Sequence, residues 1–227
     1  MPDRKEINKR GYLKEDFRLF HLKDSRAQKV DYHYHAFDKL ILLLGGKVTY
    51  VVEGVTYFLQ PWDLLLVGHD LIHRPIIDPA EPYERVVIWL GREWLERRSD
   101  PGEALDTCFD TTRERGFHLL RFDGERRLDY MRTIQRLEEA TRSREFGAAR
   151  LADTLCQQLL IQVNRDIHAL QKVAVRVRPL DHHHACRGEI HRFIPNRGFL
   201  ASHPLERNVS FTALEARDDV VDLVKVN

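Results

Sequence analysis

The chain has 227 residues, with 36 Lys+Arg against 35 Asp+Glu and a formal net charge of +1. A hydrophobic share of 43% beside 31% charged residues describes a globular protein of one or two domains with a sizeable core, and excludes a disordered or fibrous chain. The balanced charge excludes a strongly basic nucleic-acid binder, because phosphate affinity comes mostly from Lys and Arg.

The opening MPDRKEINKR is charged and lacks the apolar core of a secretory signal. No stretch approaches the ~18 apolar residues of a spanning helix. Cys108, Cys156 and Cys186 are odd in number and widely spaced, which argues against a disulfide framework or a thiolate zinc site. The expectation is a reduced, cytoplasmic protein with no membrane contact. Residues 1–27 read as an arm, polar with scattered aromatics (Tyr12, Phe17, Phe20). From residue 28 the chain turns rich in Val, Ile, Leu, Tyr and Phe, punctuated by Gly45-Gly46, Gly54, Pro61, Gly68 and Pro75. Short apolar runs between such turn residues predict an antiparallel sandwich or barrel, with strands near 28–35, 39–44, 47–53, 55–60, 63–67, 72–77 and 83–90.

From residue 123 to about 171 the period changes. Leu128, Met131, Ile134 and Leu137 recur every three residues, and Leu151, Leu155, Leu159, Val163 and Ile167 every four. This is the spacing of two amphipathic helices joined by the polar segment Ser143–Gly147. A short joint predicts an antiparallel hairpin, either as a core pair or with Leu151, Leu155, Leu159 and Val163 as a coiled-coil seam to a second copy. Residues 172–227 mix Pro, His and Arg without a sustained period, and a poorly ordered tail is expected there. His182–His184, Cys186 and His191 have metal-binding residue types but no finger spacing.

His33 and His35 are two apart on a predicted strand, so they share a face, and His73 follows after a turn. Three imidazoles converging in a barrel would suit a transition metal. They would equally suit a polar wall for a small ligand, or purely structural bonds to the backbone.

The pattern His33-x-His35, the glycines that follow, and Gly54…Pro61-Trp62-Asp63…His73 resemble the two cupin motifs. Metal-binding cupins carry a glutamate where this chain has Lys39, and a glycine where it has Trp62. An ammonium has no acceptor capacity and opposes a metal electrostatically; its natural partner would be a ligand carboxylate, Asp38 or Glu84. A narrower resemblance covers residues 11–171. GYLKEDFRLFHLKD, VTYVVEG, PWDLLLV, IHRP and PYERVVIWL fall in the order and spacing of the N-terminal sensing domain of AraC-type bacterial transcription regulators.

That resemblance implies an α+β chain: a cupin-like antiparallel β-barrel (jelly roll) followed by an antiparallel helix pair. It divides the sequence into an arm (1–27), an effector-sensing barrel (28–120), dimerisation helices (121–171) and an atypical tail (172–227) in place of the family's helix-turn-helix reader. It implies a small-molecule effector inside the barrel, with His33, His35, Lys39 and His73 as candidate lining residues and Glu84 as a lesser one; the donors and acceptor of this set suit a sugar-like or anionic ligand. It also implies a homodimer through the helices; no catalytic residues and no cofactor are expected, and no metal because Lys39 stands in the glutamate position. DNA is the family's partner, but the tail shows no helix-turn-helix pattern. The abrupt change near residue 172 reads as a shift of reading frame. The expectation is therefore a regulator rather than an enzyme, the alternative being a metal-dependent cupin enzyme using His33, His35 and His73.

Overall fold

The computed structural model describes residues 8–25 and 29–176. Its strands are β1 (Asn8–Lys9), β2 (Phe17–Asp24), β3 (His33–Tyr34), β4 (Asp38–Gly45), β5 (Val48–Val52), β6 (Val55–Phe58), β7 (Leu64–Val67), β8 (His73–Ile77), β9 (Tyr83–Leu90) and β10 (Leu119–Leu120). The helices are α1 (Arg92–Arg98), α2 (Thr107–Arg115), α3 (Gly124–Arg142) and α4 (Ala148–Arg176). Strands β1-β3-β8-β5-β6 make one five-stranded sheet and β10-β7-β4-β9-β2 the other. The architecture is α+β, with mainly antiparallel sheets followed by helices.

Alternation along β4 builds two cores from one strand. Ile41 and Leu43, with Val87 of their own sheet, face the first sheet, where they join one core with Val48, Tyr50, Val52 and Tyr57. Leu40 and Leu42 face the opposite way, onto Trp94, Phe109, Tyr130, Leu159 and Val163. Covered on both faces, β4 reads as the near-continuous apolar run DKLILLLG. The hairpin β5–β6 turns through Glu53 and Gly54, both with positive φ (47° and 81°), the geometry that matches strand twist in a two-residue loop. Asp123 caps α3, its carboxylate accepting from the Arg126 N–H. Near the start of α3, Tyr130 donates to Asp166 of α4 at 2.9 Å.

Several elements depart from the sequence reading. Residues 17–24 of the expected arm form β2, which pairs with β9 over all eight of its residues, Phe17↔Leu90 to Asp24↔Tyr83. The strand expected over 28–35 is two residues long. Two unforeseen helices, α1 and α2, seat Trp94, Leu95, Cys108 and Phe109 in the helix-side core. Trp62 stands at φ 77°, the left-handed region that glycine adopts without strain, in the turn where the cupin pattern has its glycine. The Arg127 guanidinium lies 4.4 Å from the centre of its ring, one contact that holds it there. No helix among the described residues is long and apolar enough to cross a membrane. The segment from residue 177 onward, with His182–His184, Cys186 and His191, lies outside the described residues, as does any DNA-reading element there.

Candidate functional site

His33 and His35 point to one side of the chain at β3, and His73 opens β8 directly opposite His33 in the ladder. Their rings close on one another, with centroids 4.4 Å apart for His33–His73 and 5.0 Å for both His33–His35 and His35–His73. One ring nitrogen of each lies within 4.8 Å of the other two. Lys39, from the facing sheet, sends its amine into this group. Its Nζ stands 2.8 Å from His35 Nε2 and 3.4 Å from His73 Nε2. All four residues are buried.

The backbone fixes the imidazole tautomers. His33 Nδ1 is 2.8 Å from the Asp31 carbonyl, His73 Nδ1 is 2.9 Å from the Leu71 carbonyl, and His35 Nδ1 bonds the Arg10 carbonyl. A carbonyl only accepts, so each Nδ1 carries the hydrogen and, in the neutral ring, each Nε2 is an acceptor. The rings are held neutral. Burial, then the Lys39 charge, lowers His33 to about 4 and His35 to about 2, and holds His73 well below its ordinary value. Burial, with a smaller push from Arg85, lowers Lys39 to about 7. The cluster is thus a buried amine facing neutral acceptors.

Both carboxylates considered as partners for Lys39 are engaged elsewhere. Asp38 accepts from the His69 backbone N–H at 2.7 Å and lies 2.9 Å from His69 Nδ1. Glu84, a predicted effector contact, meets Lys23 at 2.8 Å and His21 at 3.1 Å. The site therefore gathers His33, His35, Lys39 and His73 but not Glu84. Of the four predicted dimerisation residues, Leu155, Leu159 and Val163 are buried in the chain's own helix-side core. Leu151 is 46% exposed.

Sequence reasoning missed the residues that close the cluster. Phe37 stacks on His35 at 4.6 Å and contacts Trp89 at 4.5 Å. The chain entering from β1 lies alongside, with the Arg10 N–H donating to Tyr34 O at 2.9 Å. Gly11, at φ 73°, comes so close that a Cβ there would sit 3.3 Å from Trp89, 3.4 Å from Phe37 and 3.6 Å from His35 Nδ1. A lone glycine in a polar segment was the only signal.

A transition metal does not fit these residues as they stand. Metal–imidazole bonds run roughly 2.0–2.1 Å, whereas Lys39 Nζ lies 2.8 Å from His35 Nε2. A metal on that same lone pair would overlap Nζ. The place where the cupin motif puts an anionic glutamate is filled by a hydrogen-bond donor.

No family model matches the chain, and no curated protein does. Among solved structures the chain is similar to a cupin protein from Bacteroides fragilis, at 21% identity over 34% of this chain and 64% of that one, TM-score 0.29. A cupin-like protein from Thermotoga maritima matches at 15% identity over 35% of this chain and 60% of that one, TM-score 0.32. A salicylate 1,2-dioxygenase from Pseudaminobacter salicylatoxidans matches at 19% identity over 33% of this chain and 22% of that one, TM-score 0.31.

One expectation is corrected here: the reading of the chain as a non-enzyme does not stand. The three histidines bring a ring nitrogen each within 4.8 Å of one another, and the Lys39 amine beside His35 and His73, lowered to about 7 by burial, can take up and release a proton near neutrality.

Proposed function

We propose that this chain is a small-molecule-binding unit of cupin type, serving as the effector-sensing and dimerisation module of an AraC-type transcription regulator. The observation that carries the reading is the Lys39 amine buried against the neutral rings of His35 and His73, with both Asp38 and Glu84 among the described residues engaged by other partners. A buried cation without a counter-charge is costly, so the site favours a ligand that brings an anionic or strongly polar oxygen to it. Arg10 and Gly11 seal the same cluster. A ligand that moves His35 would therefore shift the segment leading to the N-terminus, coupling occupancy to the rest of a regulator. The family resemblance over residues 11–171 supports the same assignment. Leu151 is the predicted seam residue exposed to a second copy.

A second reading, an enzyme working by acid–base chemistry, is favoured by the amine–imidazole contacts themselves. The two share the site and differ in turnover. The test is a thermal-shift screen of small carboxylates, phosphates and sugars on the whole chain, repeated with Lys39→Met. The sensor reading predicts at least one class that raises Tm with wild type but not with Lys39→Met, and that mass spectrometry recovers unchanged. Recovery of a converted product supports the enzyme instead. No shift from any class removes the binding reading.

A further inference from the structure

We propose that Lys39 stands in for a metal ion, so that the protein keeps a dormant three-histidine metal centre closed by its own side chain. The inference rests on the lysine-centred cluster of the reading above and adds what the lysine does there.

Three features carry it. Each histidine already has the outer arrangement that metal ligands need: Nδ1 anchored by a backbone carbonyl and Nε2 left as the coordinating atom. The anchors are the Asp31, Arg10 and Leu71 carbonyls, so no part of this depends on residue 39. The three histidines come from two neighbouring strand segments of one sheet, and one ring nitrogen of each lies within 4.8 Å of the other two. Against this prepared set, Lys39 enters from the facing sheet and takes two of the three lone pairs, at 2.8 and 3.4 Å. Neutral or charged, an amine in those positions donates hydrogen to Nε2, and a lone pair engaged that way is not free to coordinate. The protonated form adds repulsion between like charges. Trp89, directly opposite Lys39 in the β4–β9 ladder, and Phe37 pack beside His35, leaving the lysine to fill the centre.

The test is metal content of the full chain. Wild type, Lys39→Glu and Lys39→Ala are loaded with Zn(II) or Co(II), passed through a desalting column and measured by atomic emission. Each is also measured in a His73→Ala background, whose subtraction removes any contribution from the His182–His184 run. The expected result is about one His73-dependent ion per chain in Lys39→Glu, fewer in Lys39→Ala, and less than about a tenth as much in wild type. The Co(II) form of Lys39→Glu should show the visible absorption of a protein-bound ion. A wild-type chain that retains about one His73-dependent ion overturns the proposal. So does a folded Lys39→Glu and a folded Lys39→Ala that both retain none. Circular dichroism establishes folding, and Lys39→Ala keeps the test open should the buried glutamate disrupt the sheet. Metal counts are read without any effector, so failure here is separate from failure of the ligand screen.

Discussion

Two surfaces of one sheet behave in opposite ways. Towards the helices, β4 presents Leu40 and Leu42 to a core of Leu, Ile, Val, Phe and Trp. Towards the sandwich it presents Ile41 and Leu43, and at the end of that row Lys39 among three histidines. Adjacent residues on one strand thus serve different ends. The helix side is close-packed and apolar, as a core that supplies stability must be. The other side, near β3 and β8, buries polar groups that the rest of the fold must sustain, which is the pattern of a functional site.

The largest effect should come from breaking the apolar side. Leu159 is fully buried against the sheet, and Leu159→Ala should cost about 2–5 kcal/mol in urea titration. Loss of stability at unchanged association would show that Leu159 serves the chain's own core rather than a seam.

Lys39→Met inverts the pattern. Replacing a buried amine by an apolar side chain of similar length should leave stability unchanged or raise it by about 1–3 kcal/mol, while abolishing ligand-induced shifts. A loss like that of Leu159→Ala would instead make Lys39 a structural residue.

The same contrast appears with pH. Lys39 in the folded chain titrates near 7, below its ordinary 10.5, so between these values the unfolded chain binds more protons. Stability therefore rises as pH climbs from 7 towards 10.5. His33, at about 4 against 6.5, adds stability that is present above 6.5 and lost as pH falls towards 4. Urea midpoints should thus increase from pH 5 to pH 9. Lys39→Met should flatten the upper half of that rise and reduce, without removing, the lower half, because burial is the larger cause of the lowered histidines and the Lys39 charge the second; an unchanged upper half would assign it to another group.

Gly11→Ala should cost about 1 kcal/mol through its positive φ and speed proteolysis of the first residues, with β2 still protected from hydrogen exchange. The smallest change is expected at Leu151→Lys. This exposed position should alter monomer stability by no more than about 0.5 kcal/mol, so any change in sedimentation would report association alone.

Much of this was readable in the sequence because one property decided each element. Seven of the strand expectations rested on short β-rich runs between turn residues, and the two long helices on a sustained period. His33, His35 and His73 stood out by residue type and by the two-residue spacing. The failures share a different cause. β2 alternates weakly, since as an edge strand its residues are half-buried or exposed, so its aromatics read as a loose arm. α1 and α2 are too short to set up a period. Glu84 sits on the right strand, but its orientation towards Lys23 and His21 depends on β2, which was not foreseen. The roles of Arg10 and Gly11 arise from backbone atoms, which carry no residue signature.

The central claim is a lysine-centred cluster of three neutral imidazoles, each protonated on Nδ1. Side-chain 15N NMR of the histidines from pH 7 down to pH 5 tests it most directly. His33, His35 and His73 should all show the neutral Nδ1–H form throughout, with Nε2 shifted as a hydrogen-bond acceptor in His35 and His73 and that shift relaxed by Lys39→Met. Nε2–H tautomers, or ordinary titration near 6.5 in these three rings, would contradict it.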